Sequence, residues 1–405
     1  MEQRDMDRIQ TLVKELTPEL KKLALDIHEN PEMGNQEFKA CRWQIDLLNK
    51  YGFETCTGFC GIDTAYKASY AGNRPGPKIA MLAEYDALPE LGHACGHNLI
   101  AMMSVGSGIV IKEFVDKYGG EIHVIGTPAE ETQGAKVEMS ARGAFKGYDV
   151  VMMAHPFETN GSSRNTIAMI ARQFEFFGKS AHAASEPYEG INALDAMINF
   201  FNMINALRQQ TKPDARIHGI IEKGGDAPNI IPEYTRARFY IRANKMAYVE
   251  ELLEKVTACA RGAAAGAGAE MKCTKVEADF KDTDSNMYLS ELACRQYEKL
   301  GHEIKRYGKE ILSGSSDLGD VSYDCPSIQL MAGMGAMADG SHYGAHTVEF
   351  ARKTCSEEAI GNCLEFVKAF AMTAVELMTD PSHLEAIRKE FSEKYEKRND
   401  TGFRI

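Results

Sequence analysis

The residues best equipped for chemistry stand in one short run, Glu84 to Asn98, which reads EYDALPELGHACGHN. Cys95 and His97 lie two apart in a glycine-rich turn. Thiolate and imidazole are both metal ligands, and a C-x-H turn lets the two side chains face one cavity. The plainer alternative is a buried free cysteine beside a hydrogen-bonded histidine. Further along, Glu130 and Glu131 are adjacent carboxylates, which repel one another unless positive charge lies near. Neighbouring side chains diverge, so one can ligate an ion while the other faces a water. In isolation the pair reads equally as a solvated acidic loop. His155 and His346, each taken alone, read as a structural histidine and a surface-loop histidine.

What changes the reading is the element in front of each position. The apolar run KIAML precedes Glu84, EIHVIGT (121–127) precedes Glu130, YDVVMMAH (148–155) ends on His155, and SIQLMAG (327–333) precedes His346. Helical patterns at 98–118 and 135–146 separate the first three. Strands alternating with helices predict an α/β domain with a mixed, mostly parallel sheet and helices on both faces. Such a sheet gathers its strand ends on one edge, where open α/β folds bind ligands. Cys95, His97, Glu131, His155 and His346 would then converge, with Glu130 beside them. Five ligands exceed one tetrahedral ion and suit two divalent ions that share a ligand.

The opening, 4–28, carries Ile9, Leu12, Val13, Leu16, Leu20, Leu23 and Ile27 at helical spacing, with a restart expected near Thr17 because Pro18 follows. A second helix is expected over 36–51, closed by Gly52. From 167 the rhythm becomes strand, helix, strand, strand, helix, strand, a ferredoxin-like βαββαβ unit. Asn192 is placed to cap its first helix, and Thr235, Ala237, Phe239 and Ile241 share one strand face. The expected organisation is a catalytic domain built from 1–166 and 285–405, with 167–284 inserted as a lid. The chain closes with a helix over 355–379 and a second, polar helix.

Composition narrows the partners. Among 405 residues, 46 Lys and Arg face 58 Asp and Glu, a net charge of −12, so the basic footprint of a nucleic-acid binder is missing. Apolar residues at 44% and charged residues at 26% exclude wholesale disorder. Ten scattered cysteines without a CxxC pair read as reduced thiols. The first residues show no apolar leader, and the stretch 99–111 falls short of the roughly 20 residues that span a bilayer. A soluble, cytoplasmic protein with no membrane partner is expected. No G-x-S-x-G elbow or H-E-x-x-H helix supports a serine hydrolase or single-zinc protease. GKS at 178–180 is not a phosphate loop, because Gln173 stands where its first glycine belongs.

In order, EYDALP, HACGHN, GTPAEET, MAHP, GKSAHAA, DAPNIIP and HTVEF resemble the aminoacylase-type metallopeptidase family. EYDALPELGHACGHNLIA, GDAPNIIP and SGSSDLGDVSYDCPSIQ resemble its branch of p-aminobenzoyl-glutamate hydrolases and β-alanyl-lysine-type dipeptidases. The resemblance implies a dinuclear metal hydrolase with an inserted lid through which two copies pair. It implies that Cys95 replaces the bridging carboxylate and that His97, Glu131, His155 and His346 complete the coordination. Glu84 stands where the aminoacylase branch has a ligand histidine. A thiolate ligand favours zinc, with manganese, cobalt or nickel also compatible. Asp86 matches an acid that orients a ligand histidine or tunes Glu130. Glu130 is the implied general base and His182 the implied oxyanion donor, reaching in from the other subunit. Asn229 is placed to donate to the substrate carbonyl. Arg242 is placed to clamp a free carboxylate, although Tyr240 replaces an acid found in many relatives. Ser316 and Asp317 are placed on the acyl side or at the cap of the next helix. The expected substrate is a small N-acyl amino acid or dipeptide, p-aminobenzoyl-glutamate-like or β-alanyl-dipeptide-like. Two rivals stand beside this reading: a metal-binding homologue without turnover, and a thiol hydrolase with Cys95 as nucleophile.

Overall fold

The computed structural model describes residues 1–308, 310–312, 314–337, 340 and 342–400, with side chains as far as 394. The strands of its two larger sheets, in chain order, are β1 (Glu54–Thr57), β2 (Tyr66–Ala71), β3 (Lys78–Ala83), β4 (Glu121–Gly126) and β5 (Val150–Phe157). There follow β6 (Ala168–Phe177), β7 (Arg216–Lys223), β8 (Tyr234–Ala243), β9 (Glu270–Lys275) and β10 (Ser327–Gly333). The helices used below are α1 (Gln3–Glu29), α2 (Phe38–Lys50), α3 (His97–Tyr118), α4 (Ala135–Ala141), α5 (Ala193–Leu207) and α6 (Met246–Ala267). Then come α7 (Met287–Lys299), α8 (Val348–Lys353), α9 (Glu357–Thr379) and α10 (Pro381–Asp400).

The chain divides into two compact units. The first comprises Met1–Asn165, Thr283–Glu310 and Asp320–Ile405. Its six strands run in the order β1-β2-β4-β3-β5-β10. The pairs β4–β3, β3–β5 and β5–β10 are parallel, whereas β1–β2 and β2–β4 are antiparallel. Ile79, Met81, Val150, Val151 and Met152 are fully buried, as expected of strands covered on both sides. Helix α3 packs on β3, β4 and β5 and is flanked by α1 and α9. By length and composition α3 could cross a membrane, but 89% of its apolar window is buried within the protein, which accounts for that composition.

Helix α1 runs unbroken through Pro18, contrary to the expected restart. Ile9, Val13, Leu16, Leu20 and Leu23 form one continuous buried stripe, each fully buried side chain stabilising by about 1.5–3 kcal/mol. Pro18 lies on the exposed side, where water can satisfy the carbonyl that proline leaves without a donor. The helix expected over 135–146 ends at Ala141, before Gly143 takes a positive φ of 77°. Strand β1 and helix α8 are short elements without a period long enough to read from sequence.

The second unit comprises Thr166–Asp282 and Ile311–Gly319. The latter segment corrects the expected boundary, which assigned it to the larger domain together with Ser316 and Asp317. It is tied in by the Ile167 N–H, which donates to Gly314 O at 3.0 Å. The antiparallel sheet has the order β9-β6-β8-β7, the βαββαβ topology. Helices α5 and α6 pack on it around Phe174, Phe176, Phe200 and Phe239. Asn192 caps α5, its Oδ1 accepting from Leu194 N–H at 2.9 Å. Thr235, Ala237, Phe239 and Ile241 face that core in strict alternation.

Candidate metal centre

The C-terminal ends of β3, β4 and β5 lie side by side, and each continues into a loop carrying chemistry. β3 delivers Glu84 and Asp86, β4 delivers Glu130 and Glu131, and β5 presents His155 near its end. Cys95 and His97 occupy the turn that starts α3. Gly96 between them has φ 82°. A Cβ there would stand 2.8 Å from Pro156 Cγ, so only glycine lets this turn approach the end of β5. His346 lies just before α8, which Thr347 caps, and its backbone N–H donates to Ala94 O at 2.8 Å.

Cys95, His97 and His155 form a group whose donor atoms all lie within 4.8 Å of one another. Cys95, Glu131 and His346 form a second, and His97, Glu130 and Glu131 a third. Cys95 Sγ is 3.4 Å from His155 Nε2. His346 Nε2–H donates to Glu131 Oε1 at 3.1 Å. Two donors on one tetrahedral ion with bonds of about 2.0–2.3 Å stand about 3.3 Å apart, so both pairs have the spacing of shared ligation.

Hydrogen bonds behind these groups aim them. His97 Nδ1–H donates to Asp86 Oδ1 at 2.7 Å, and Asp86 Oδ2 accepts from the Glu131 N–H at 3.0 Å. His97 Nε2 is left buried with no hydrogen-bond partner. His155 Nδ1–H donates to Pro156 O at 2.8 Å, which leaves its Nε2 lone pair toward Cys95. A buried lone pair with no partner is costly unless something electron-poor meets it. The donor set therefore fits a pair of divalent cations: soft sulfur and imidazole at one position, carboxylate and imidazole at the other, with Cys95 common to both.

Charge points the same way. Burial pushes the Cys95 thiol well up, against the pull of His97. Burial would lower His97, but Asp86 and Cys95 beside it raise it well above the usual imidazole range. Burial works to raise Glu131, yet the His346 hydrogen bond and the His97 charge hold it at about 2. Without cations, protons on His97 and His346 stand in for them beside Asp86 and Glu131; a bound cation would displace the His97 Nε2 proton and take up its lone pair. Lys136 and Glu84, which the sequence reading did not pair, form a fully buried ion pair at 2.7 Å. Glu84 Oε2 stands 3.4 Å from His97 Nε2 and has no hydrogen-bond partner. A lysine in GAKVEM carries no sequence signal of burial.

Comparison with known proteins agrees with this centre. The chain is 37% identical over 342 residues to the Xaa-Arg dipeptidase of Mus musculus, covering 82% of this chain and 78% of that protein. The chain belongs to the M20 family of metallopeptidases and amidohydrolases. Residues 164–267 of this M20 protein match the family's peptidase dimerisation domain. It is also 26% identical, over an aligned length of 442, to a p-aminobenzoyl-glutamate hydrolase chain of Escherichia coli K12, covering 91% of each chain. A dinuclear metal binding peptidase of the M20 family from Bacillus subtilis shares its fold, with a TM-score of 0.69 at 20% identity over 90% of this chain and 99% of that one. This M20 chain is a metallohydrolase of amide or dipeptide bonds, with side chains grouped to hold divalent metal.

The remaining sequence-predicted residues lie in the second unit of this M20 chain. His182 is exposed, and its Nδ1 accepts from Ala184 N–H at 3.3 Å and Ser185 N–H at 3.2 Å. Asn229 is exposed, its backbone oxygen accepting from Ala183 N–H at 3.0 Å. Arg242 is half-buried over the Tyr240 ring; its Nη1 donates to Ser315 Oγ at 3.4 Å and its Nε has no partner. Tyr240 gives its hydroxyl to Glu277 at 2.9 Å. Ser316 Oγ accepts from Leu318 N–H at 3.3 Å, a helix-capping contact, and Asp317 is buried.

Proposed function

We propose that this M20 chain hydrolyses dipeptides with a basic C-terminal residue, with Glu130 as general base at a dinuclear centre. The observation that carries the reading is the sharing of Cys95 between a His97–His155 group and a Glu131–His346 group. Two bound cations, which the thiolate ligand favours as zinc, would lower the pKa of a water between them. Glu130 takes the water's proton and returns it to the departing amine. Asp86 holds His97 and the Glu131 backbone in place for that exchange. His182, whose Nδ1 already accepts, keeps Nε2–H as a donor for the developing oxyanion. Arg242 clamps the free carboxylate, Asn229 meets the substrate carbonyl, and Ser316 and Asp317 border the acyl group.

Pairing of two copies through the second unit is part of this proposal. It is supported by the matched dimerisation domain and by edge strand β7, where Ile220 and Ile221 are exposed. The choice of a basic residue rests on the 37% identity to an Xaa-Arg dipeptidase, against 26% to a p-aminobenzoyl-glutamate hydrolase. The test is a substrate panel on zinc-, manganese- or cobalt-loaded protein: Xaa-Arg, Xaa-Lys and β-alanyl dipeptides, an N-acetyl amino acid and p-aminobenzoyl-glutamate. Fastest turnover on the basic dipeptides is expected. Preference for p-aminobenzoyl-glutamate overturns the substrate, and bound metal without turnover of any amide overturns the activity.

A further inference from the structure

Glu37 lies at the start of α2, fully buried, and outside every metal-competent group. Its Oε1 accepts from the backbone N–H of Ala129 at 2.8 Å. Ala129 is itself unusual: buried, with φ 58°, in the left-handed region that costs a non-glycine residue about 1–2 kcal/mol. The next two residues are Glu130 and Glu131. The Ala129 carbonyl accepts from the N–H groups of Gln133 at 3.1 Å and Gly134 at 2.8 Å, closing the loop behind them. One backbone kink therefore sets where both carboxylates point.

The segment before Glu37 is shaped to hold that kink. A Cβ on Gly34 would collide with Thr132 Oγ1 and stand 2.9 Å from Ala129 Cβ, so the loop seats against a bare backbone. Asn35 Nδ2–H donates to Gln133 Oε1 at 2.8 Å. The Glu32 carbonyl accepts from the Ala87 N–H at 2.8 Å, tying the same segment to the loop of Asp86.

We propose that Glu37 is a positioning residue: through its bond to Ala129 it holds the strained loop that aims Glu130 and Glu131. The inference rests on the metal-centre reading above. Burial, with the Asp86 charge nearby, raises the Glu37 carboxyl to about 7, so its acceptor role does not depend on a full negative charge. An amide oxygen should serve as well. A glycine at 129 should accept the positive φ without a brace.

The experiment compares wild type, Glu37→Ala, Glu37→Gln, and the double variant Glu37→Ala/Ala129→Gly. All are zinc-loaded and dialysed, then measured for zinc per chain, melting temperature, kcat and KM. Wild type is expected to keep two ions. Glu37→Ala is expected to fall toward one, losing the ion served by Glu131 and His346 and keeping that of Cys95, His97 and His155. Its kcat should drop at least about 10-fold, with KM changed less. Glu37→Gln should retain two ions and a rate within about threefold of wild type, and the double variant should regain the second ion. The inference is overturned if Glu37→Ala keeps two ions and its rate. It is also overturned if Glu37→Gln loses both in proportion to melting temperature. Should Glu37→Ala fail to fold, the Gln and double variants decide by the same criteria. Wild type that binds no zinc defeats the metal-centre reading instead.

Discussion

Oδ1 of Asp86 lies 2.7 Å from Nδ1 of His97, with both side chains sealed from water. That bond orients the imidazole and leaves Nε2 buried without a hydrogen-bond partner, 3.4 Å from Glu84 Oε2. The other Asp86 oxygen holds the Glu131 backbone, so one carboxylate ties His97 to the Glu131 loop. Replacing Asp86 by Ala is expected to weaken metal affinity about 10–100-fold, the usual scale for a group behind a ligand. Competition with a chromophoric chelator measures it. Unchanged affinity in a folded Asp86→Ala protein would show that His97 and Glu131 need no such support.

Glu130 shares a donor group with His97 and Glu131 but belongs to neither group built on Cys95. The proposed general base thus stands beside the two Cys95 groups rather than within them. Glu130→Gln keeps the shape and removes the basicity. It should retain both ions and lose at least about 100-fold in turnover. Metal analysis and kcat on one preparation check the two halves together. A rate near wild type removes Glu130 from its role.

The metal-competent residues were legible in the sequence because each follows an apolar strand, and parallel strands place their ends on one edge. The βαββαβ order was legible because its strands alternate and Asn192 marks a helix start. Ile311–Gly319 was not, since its membership rests on backbone contacts such as Gly314 O with Ile167 N–H, which leave no periodic trace. Lys136 was not, because an internal lysine reads as solvated until its burial against Glu84 is seen. The Pro18 break was misjudged because proline signals a stop locally, whereas the stripe from Ile9 to Ile27 is satisfied only by one continuous helix.

Chelation separates the metal reading from a thiol nucleophile. Without bound cations, burial raises the Cys95 thiol well above its usual range, and a protonated thiol is a poor nucleophile. A chelator should therefore abolish turnover, and zinc should restore it. The melting temperature should fall with the metal, because ligand at about 100 times Kd stabilises by about 2.7 kcal/mol. Activity that survives complete metal removal would favour the thiol mechanism.

Away from the centre, His123 on β4 sets a pH dependence of stability. Tyr148 donates its hydroxyl to His123 Nδ1 at 2.7 Å, and Nε2–H donates to Glu121 at 3.1 Å, so the neutral ring satisfies both partners. Burial, then the Lys67 and Lys78 charges, lower its pKa to about 4. In the unfolded chain a histidine titrates near 6.5. Between those values the unfolded chain binds more protons, so stability is full above about pH 6.5 and declines as pH falls toward 4, by up to about 3 kcal/mol. Urea unfolding of the metal-free protein from pH 7.5 to 4 should show that decline. His123→Gln cannot take up the proton and should flatten the slope over this window. An identical slope in the variant would assign the dependence to other groups.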